Sequence, residues 1–175
     1  MDIKALYKLS YGMFIVCSKK GDKVNGQVAN TVFQITSEPP TIAVSINKNN
    51  FTHGYINESK VFTASVLSIT TPLPFIGGFG FRSGRDVDKL IGINYRLGKT
   101  GAPVILDNTV AYIEANVIKQ LDVGTHTIFV GEIADAEIIN DKEIMTYANY
   151  HLVRRGVTPV TAPTYIAEPK ETKTE

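Results

Sequence analysis

Apolar and polar residues alternate along much of this chain with the two-residue period of extended strands. In residues 41–46, Ile42, Val44 and Ile46 fall on one face, and smaller residues fall on the other. Similar runs, several of them rich in β-branched residues, recur at short spacing and are separated by turn residues such as Gly21-Asp22. The pattern predicts strands over residues 13–18, 24–36, 41–46, 61–67, 103–106, 109–120 and 125–140.

Helical spacing is confined to short segments between these strands. It predicts short helices over residues 2–10, 51–59, 85–91 and 143–151, whereas the glycines and prolines of residues 72–82 predict a loop. The alternation of strand, long helix and strand that a doubly wound sheet needs is absent from the sequence. We therefore predict a mostly β fold, a β-barrel with short peripheral helices.

The predicted elements form a single domain over residues 1–166, because no linker or internal repeat interrupts them. Residues 167–175 are polar and charged, so we expect this tail to fray. The uncharged stretch 61–81 has the length of a membrane-spanning helix, but its prolines and glycines favour a strand followed by a loop. No membrane partner is expected.

The composition and net charge of the chain limit the kinds of partner that it is expected to bind. The 175 residues are 43% hydrophobic and 20% charged, which suits one domain with a substantial core. With 18 basic and 17 acidic residues, the net charge of +1 offers no basic face for nucleic acid. The single cysteine, Cys17, excludes an internal disulfide and a thiolate metal cluster, and its apolar neighbours predict a buried strand residue. No signal peptide is visible, so a cytoplasmic location is expected.

Motifs for catalysis by protein side chains alone are missing. Residues 92–100 nearly spell a nucleotide-binding P-loop, but five residues separate the glycines where the motif has four. The histidines His53, His126 and His151 lack the spacing of a metal site, and no nucleophile elbow occurs. The chemistry is therefore expected to reside in a bound cofactor.

Segments spread over nearly the whole chain match one known family in the same order. They are residues 25–40, 42–53, 83–89, 125–133, 146–151 and 162–165. Together they resemble the flavin reductase-like, FMN-binding split-barrel family. The last two segments resemble the subgroup that contains flavoredoxins and the flavin domains of high-molecular-weight rubredoxins. The resemblance implies a Greek-key split β-barrel, a bound FMN and a homodimer.

The resemblance and the chemistry of the residues together predict an FMN site. Thr52, at the start of the helix predicted over residues 51–59, is the candidate phosphate donor, aided by the helix amides and dipole, and a simple N-cap is the alternative interpretation. In the family, the loop that corresponds to residues 83–89 approaches the flavin, often across a dimer interface, although taken alone it would be interpreted as a solvated face. Arg85 or Lys89 in this loop would stabilise the negative charge of reduced flavin. The predicted FMN-binding residues are Asn30, Thr31, Val32, Gln34, Ser45, Asn47, Lys48, Thr52, Ser83, Gly84, Arg85 and Lys89.

Three further residues are candidates for the side of the flavin where nicotinamide docks. The resemblance suggests this position for His126, with a structural histidine as the alternative. His151 is a weaker candidate of the same kind. Tyr165 would form an aromatic lid or, alternatively, pack the C-terminal arm. No catalytic side chain is assigned, because the flavin N5 atom would carry the chemistry.

These expectations lead to one predicted function and to alternative functions. We predict an FMN flavoprotein that acts as an NAD(P)H:flavin oxidoreductase or in flavoredoxin-type electron transfer, with NADH, NADPH or a redox protein as electron donor. In rubredoxin-fused relatives a cysteine-rich iron domain follows the Ala-Pro-Thr-Tyr region, whereas only a short charged tail follows it here. A rubredoxin, ferredoxin or other redox protein would therefore be a separate partner. The alternatives are a non-catalytic FMN carrier or sensor and an enzyme similar to pyridoxamine-phosphate oxidase.

Overall fold

The computed structural model describes residues 2–166, so the tail predicted over residues 167–175 lies outside the described residues. Within that range the strands are β1 (Phe14–Lys20), β2 (Lys23–Ala29), β3 (Val32–Ser37), β4 (Pro40–Asn47), β5 (Val61–Leu67), β6 (Tyr95–Leu97), β7 (Pro103–Ile105), β8 (Thr109–Asp122) and β9 (His126–Ile138). Two α-helices, α1 (Phe51–Ser59) and α2 (Leu73–Gly80), lie in the connections, together with a 3-10 helix over Ile3–Lys8 and a π-helical turn over Asn149–Val153.

Seven of the strands form one antiparallel sheet in the order β2-β1-β5-β8-β9-β4-β3, and β6 pairs with β7 in a separate ribbon. The sheet carries a core on each side. One core contains Ile42, Val44 and Ile46 with Phe129, so the alternation in residues 41–46 identifies a buried face correctly. The other core lies beneath α2. The predicted mostly β class is confirmed.

The loop predicted over residues 72–82 is wrong, because residues 73–80 form α2. Pro72 is the N-cap and Pro74 lies in the first turn, where a missing backbone N–H costs the helix no hydrogen bond. Ile76 and Phe79 are both buried against the sheet, and this burial offsets the low helix propensity of the two glycines between them. Tertiary packing therefore overrides the local composition.

Three other predicted boundaries also change. The single extended run predicted over residues 24–36 is two strands, because the chain turns at residues 30–31 between β2 and β3. The helix predicted over residues 143–151 forms only from residue 147, where two helical residues lead into the π-helical turn, whereas Ile144 and Thr146 form isolated bridges to Ser68 and Gly12. Residues 85–91 form turns without a helix. In residues 143–146, hydrogen bonds to distant residues such as Leu67 replace those of a local helix, whereas the backbone bonds of residues 85–91 stay within local turns.

Cys17 lies in β1 and is fully buried, as predicted. Burial raises the pKa of its thiol to about 12, so the thiol stays protonated at neutral pH. Among the described residues, none of the helices has both the length and the apolar character needed to cross a bilayer.

Glu114 is a fully buried carboxylate in β8. Its two oxygens accept hydrogen bonds from the backbone N–H groups of Lys99 (3.1 Å) and Thr100 (3.0 Å) and from the Thr100 hydroxyl (2.9 Å). A Cβ atom at Gly98 would overlap this carboxylate, so only glycine fits the close approach of the loop. Glu114 thus anchors the turn between β6 and β7 to the sheet.

Replacing Glu114 with alanine is expected to lower the free energy of unfolding by about 3 kcal/mol, because buried donors lose a charged acceptor. Urea unfolding followed by circular dichroism measures this loss. Glu137→Ala is the matched control, since its side chain is 62% exposed and its pairing with Arg96 at 3.3 Å is a surface ion pair. The Glu137→Ala control should lower the free energy of unfolding by less than about 1 kcal/mol. Equal losses in the two variants would show that the Glu114 anchor does not stabilise the fold.

Candidate functional site

A cleft of about 460 Å³ opens where the ends of β2 and β4 meet the start of α1. The end of α2 and the loop that follows it form a second wall, and the segment over residues 157–163 forms a third. The volume lies in the range of small-molecule and cofactor sites. Eight of the predicted site residues line it: Asn30, Ser45, Asn47, Thr52, Ser83, Gly84, Arg85 and Lys89.

The N-terminus of α1 points an unneutralised partial charge at this cleft. The N-cap residue, Asn50, makes no side-chain capping hydrogen bond, and the first turn contains no acidic residue. The first backbone N–H groups of a helix have no partner within the helix, and the helix dipole adds partial positive charge there. Asn50 and Phe51 line the cleft, so this end of it is suited to an anion.

Thr52 is the second residue of α1 and is 1% exposed. Its hydroxyl oxygen accepts a hydrogen bond from Asn25 Nδ2 at 2.7 Å. Among the described residues, none accepts the Thr52 hydroxyl proton, so that proton is available to a group in the cleft. The alternative interpretation of Thr52 as the N-cap is wrong, because the cap is Asn50.

The loop over residues 83–85 is held against the first turn of α1. The Arg85 guanidinium donates to the Asn49 carbonyl oxygen at 3.2 Å and lies 5.2 Å from the centroid of the Phe51 ring. A Cβ atom at Gly84 would overlap the Asn25 side-chain oxygen and would lie 2.9 Å from Phe51 Cδ1. The close approach therefore requires glycine and brings a cation to the anion-binding end of the cleft.

Lys89 lies further along the cleft and is half-buried. Its ammonium group donates to the carbonyl oxygens of Gly26 and Phe79, both at 3.0 Å. Burial lowers the pKa of Lys89 to about 8, because the charged form loses hydration that these carbonyls replace only in part. A third ammonium proton remains for a ligand, and the charge is sensitive to pH near neutrality.

Gln27 also lines the cleft but was not among the predicted site residues. Its Oε1 atom is buried and accepts no hydrogen bond from any of the described residues. Such a group costs stability unless something bonds to it, so it marks a position for a ligand donor. The sequence pattern could have indicated Gln27 as a site residue. Asn25 and Gln27 are polar residues two positions apart in a strand, so their side chains lie on the same face of the sheet.

Four predicted residues lie outside the cleft. Lys48 forms an ion pair with Asp122 at 2.6 Å, and the Gln34 amide donates to the Thr36 carbonyl oxygen on the exposed edge strand β3. Val32 pairs with a residue of β4, while the Thr31 hydroxyl donates to Asn30 Oδ1 at 3.0 Å. Thr31 thus supports a residue of the cleft. Direct contacts of these four residues with a cofactor stay predictions.

The nicotinamide-side candidates surround the segment over residues 157–163 and do not line the cleft. His126 Nε2 lies 3.2 Å from the Thr161 carbonyl oxygen, and His151 Nε2 lies 3.1 Å from the Thr158 hydroxyl. Tyr165 is 42% exposed. The two histidines support this wall of the cleft, and their predicted roles in docking nicotinamide stay predictions.

Comparison with known proteins gives the family. Residues 6–156 match the model of the Flavin reductase like domain. A high molecular weight rubredoxin of Moorella thermoacetica is 55% identical over 174 residues, covering 99% of this chain and 76% of the relative. A ferric-chelate reductase (NAD(P)H) of Archaeoglobus fulgidus is 53% identical over 165 residues, covering 94% and 98%.

A solved structure shares the fold. The FMN-binding protein of Thermus thermophilus superimposes with a TM-score of 0.69 and 27% identity over 75% of this chain and 72% of that protein. The split β-barrel and the flavin-based oxidoreductase class expected from the sequence are thereby confirmed. The chain belongs to the flavin reductase like domain family.

Proposed function

We propose that this chain binds FMN in the cleft and passes electrons through it, as an NAD(P)H:flavin oxidoreductase or in flavoredoxin-type transfer. The observation that carries the proposal is the uncapped N-terminus of α1, which meets the free hydroxyl proton of Thr52 and the guanidinium of Arg85 at one end of the cleft. These groups suit the dianionic phosphate of FMN. The FMN-binding relative from Thermus thermophilus supports the same cofactor.

Other cleft residues suit the rest of the cofactor. Asn30, Ser45 and Asn47 are polar groups for the ribityl hydroxyls, and the unpartnered Oε1 of Gln27 would accept a hydrogen bond from the cofactor. The Lys89 ammonium would stabilise negative charge on the reduced ring. When bound, the flavin supplies the hydride and electron chemistry, while the protein positions it and limits the access of water.

The electron donor can be tested directly. The name of the Archaeoglobus relative supports NADH or NADPH, and that of the Moorella relative supports a rubredoxin-like partner. The purified chain is expected to bind FMN, identified by absorbance and mass. Anaerobic mixing with NADH, with NADPH and with reduced rubredoxin or ferredoxin then reveals the donor. A chain that binds no flavin overturns the proposal. If FMN binds but none of these donors reduces it, the result supports the alternative of a non-catalytic FMN carrier or sensor.

We also propose a homodimer, as the resemblance implies. Phe33 pairs with Ala43 on β4, two residues from Ser45, so Phe33 shares the sheet face of the cleft. Ser45 pairs with Ile128, which pairs with Leu121. Phe33 is 51% exposed and Leu121 is 59% exposed, which leaves an apolar surface continuous with the cleft. Sedimentation velocity should give twice the chain mass, and Phe33→Asp should give the monomer.

The compartment is inferred from the cysteine content. Cys17 is the one cysteine of the chain and is a buried thiol. This chemistry fits a reducing compartment, where disulfides are rare. We therefore infer a cytoplasmic location.

Lys89→Met is expected to lower the midpoint potential of bound FMN, because the variant lacks the cation that stabilises reduced flavin. With a pKa of about 8, Lys89 is charged below this pH and neutral above it. The difference in potential between wild type and variant should therefore be largest well below pH 8 and should vanish well above it. Spectroelectrochemical titration at several pH values measures it.

The control for this experiment is Lys23→Met, which removes an exposed lysine at the start of β2. It should leave the potential unchanged at every pH. A Lys89→Met potential that equals that of the wild type at low pH would return Lys89 to a purely structural role.

A further inference from the structure

Five side chains form one continuous row of hydrogen bonds along one wall of the cleft. Asn30 Nδ2 donates to Thr164 Oγ1 at 2.9 Å, and Thr164 Oγ1 donates to Tyr147 Oη at 2.8 Å. Tyr147 Oη lies 2.6 Å from Thr158 Oγ1, which lies 3.1 Å from His151 Nε2. The row links the turn between β2 and β3 to the π-helical turn and to the segment after it.

The chemistry at one end fixes the direction of the first two bonds in the row. Asn30 Oδ1 accepts from the Thr31 hydroxyl at 3.0 Å, so the Asn30 group that faces Thr164 is the NH₂ group, which can only donate. Thr164 in turn donates a hydrogen bond to Tyr147 Oη. When His151 is neutral with Nε2 as the acceptor, Thr158 donates to His151 and Tyr147 donates to the Thr158 oxygen.

Protonation of His151 reverses the bonds next to it. An imidazolium Nε2–H can only donate, so Thr158 must accept from it and must donate to Tyr147 instead. Tyr147 and Thr158 both line the cleft, so the Tyr147 proton is then free to point into it. The row thus has two states, which are selected by the charge on His151.

The neighbours of His151 and its burial set the pH at which this change of charge occurs. The titratable side chains packed against its ring are Tyr147 and Tyr150, whose ring centroids lie 4.3 and 5.0 Å away. Partial burial lowers the pKa of His151, and a backbone hydrogen bond at Gly156 opposes this effect. The ring is half-buried, so solvent reaches it.

We propose that His151, Thr158 and Tyr147 carry protons between solvent and the cleft, for a flavin bound there as under the proposed function. In one delivery the imidazolium gives its Nε2 proton to Thr158 Oγ1, Thr158 gives its own proton to Tyr147 Oη, and Tyr147 gives its proton to the acceptor in the cleft. Imidazole is left neutral and the acceptor gains one proton. Each hydroxyl returns to the orientation that it has when His151 is neutral.

Electron transfer from a protein donor requires a separate supply of protons, which such a path would provide. Hydride from NADH or NADPH brings a proton with its electron pair, whereas electrons from a redox protein arrive alone. A flavin reduced by single electrons in the cleft therefore needs a separate source of protons, which these residues would supply. His151, Thr158 and Tyr147 are proton-carrying residues in this proposal, and His151 makes no contact with the cleft itself.

The two states can be observed without flavin. In the flavin-free chain, NMR is expected to show the Asn30 side-chain amide shifting with pH at the pKa of the His151 imidazole, since the row couples them. Tyr147→Phe keeps the ring and removes the central hydroxyl, and the shift of the Asn30 resonance should be lost. Thr158→Val should have the same effect, which guards against misfolding of one variant.

Tyr150→Phe is the matched control. The Tyr150 hydroxyl donates to the Val157 carbonyl oxygen at 2.9 Å and is not part of the row, so this variant should keep the coupling between Asn30 and His151. An Asn30 resonance that does not follow His151 in the wild type, or that still follows it in Tyr147→Phe, overturns the proposal. Failure of the proposed function would appear separately, as absent FMN binding in the wild type.

Delivery to the cleft needs a second measurement. In the FMN-loaded chain, a pH-indicator dye follows proton uptake during photoreduction. Uptake should be slower by at least about tenfold in Tyr147→Phe and in Thr158→Val, within the range of positioned proton transfer. Uptake at the wild-type rate in both variants would overturn delivery through this row.

Discussion

Gly84→Ala is expected to weaken FMN binding by about 100-fold. The new Cβ atom would overlap the side-chain oxygen of Asn25, and it would lie 2.8 Å from Asn25 Cγ. Asn25 is 3% exposed and is bonded to Thr52, so it cannot give way. The loop must move instead, and it takes the Arg85 guanidinium away from the phosphate end.

Fluorescence titration of the flavin-free protein with FMN measures this loss. Gly54→Ala is the matched control, because it adds the same methyl group within α1, where, apart from the adjacent helix backbone, no atom of the described residues lies within 4 Å of the new Cβ. The control should bind FMN as the wild type does. Wild-type affinity in Gly84→Ala would mean that the loop does not contribute to the cofactor site.

Thr52→Val is expected to reduce FMN affinity by roughly 10- to 100-fold, the value of a hydrogen bond to a charged group. Valine has the shape of threonine but lacks the hydroxyl proton that is free in the cleft. Riboflavin provides the decisive comparison, because it lacks the phosphate. The affinity for riboflavin should change little, and calorimetric titration with both flavins separates the two effects.

The conservative control for this position is Thr52→Ser, which retains the hydroxyl. It should keep most of the FMN affinity and the hydrogen bond from Asn25. An equal loss for FMN and riboflavin in Thr52→Val would assign Thr52 to packing around Asn25, and the phosphate would then lie elsewhere.

Much of the fold follows from local patterns in the sequence. Strict alternation identified β4 and its buried face, because one side of that strand packs into a core. Helix α2 escaped prediction for the opposite reason. Its formation depends on burial of Ile76 and Phe79 against the sheet, a tertiary contact that local propensity does not contain.

The candidate site was predictable where backbone geometry alone sets the position of a residue. Thr52 follows a strand and begins a helix, and the structure brings it to the cleft as expected. Lys48 belongs to the same turn, but its flexible side chain reaches Asp122 instead, and no local pattern reveals that partner. The direction of a long side chain depends on the fold around it.

The wall over residues 157–163 lies beyond the region that matches the family model, which ends at residue 156. The last strand of the sheet ends still earlier, at Ile138. The sheet and this wall of the cleft are therefore built from separate stretches of the chain. Substitutions in this short segment are therefore expected to change which electron donors and acceptors reach the cofactor, while the sequence of the sheet stays as it is.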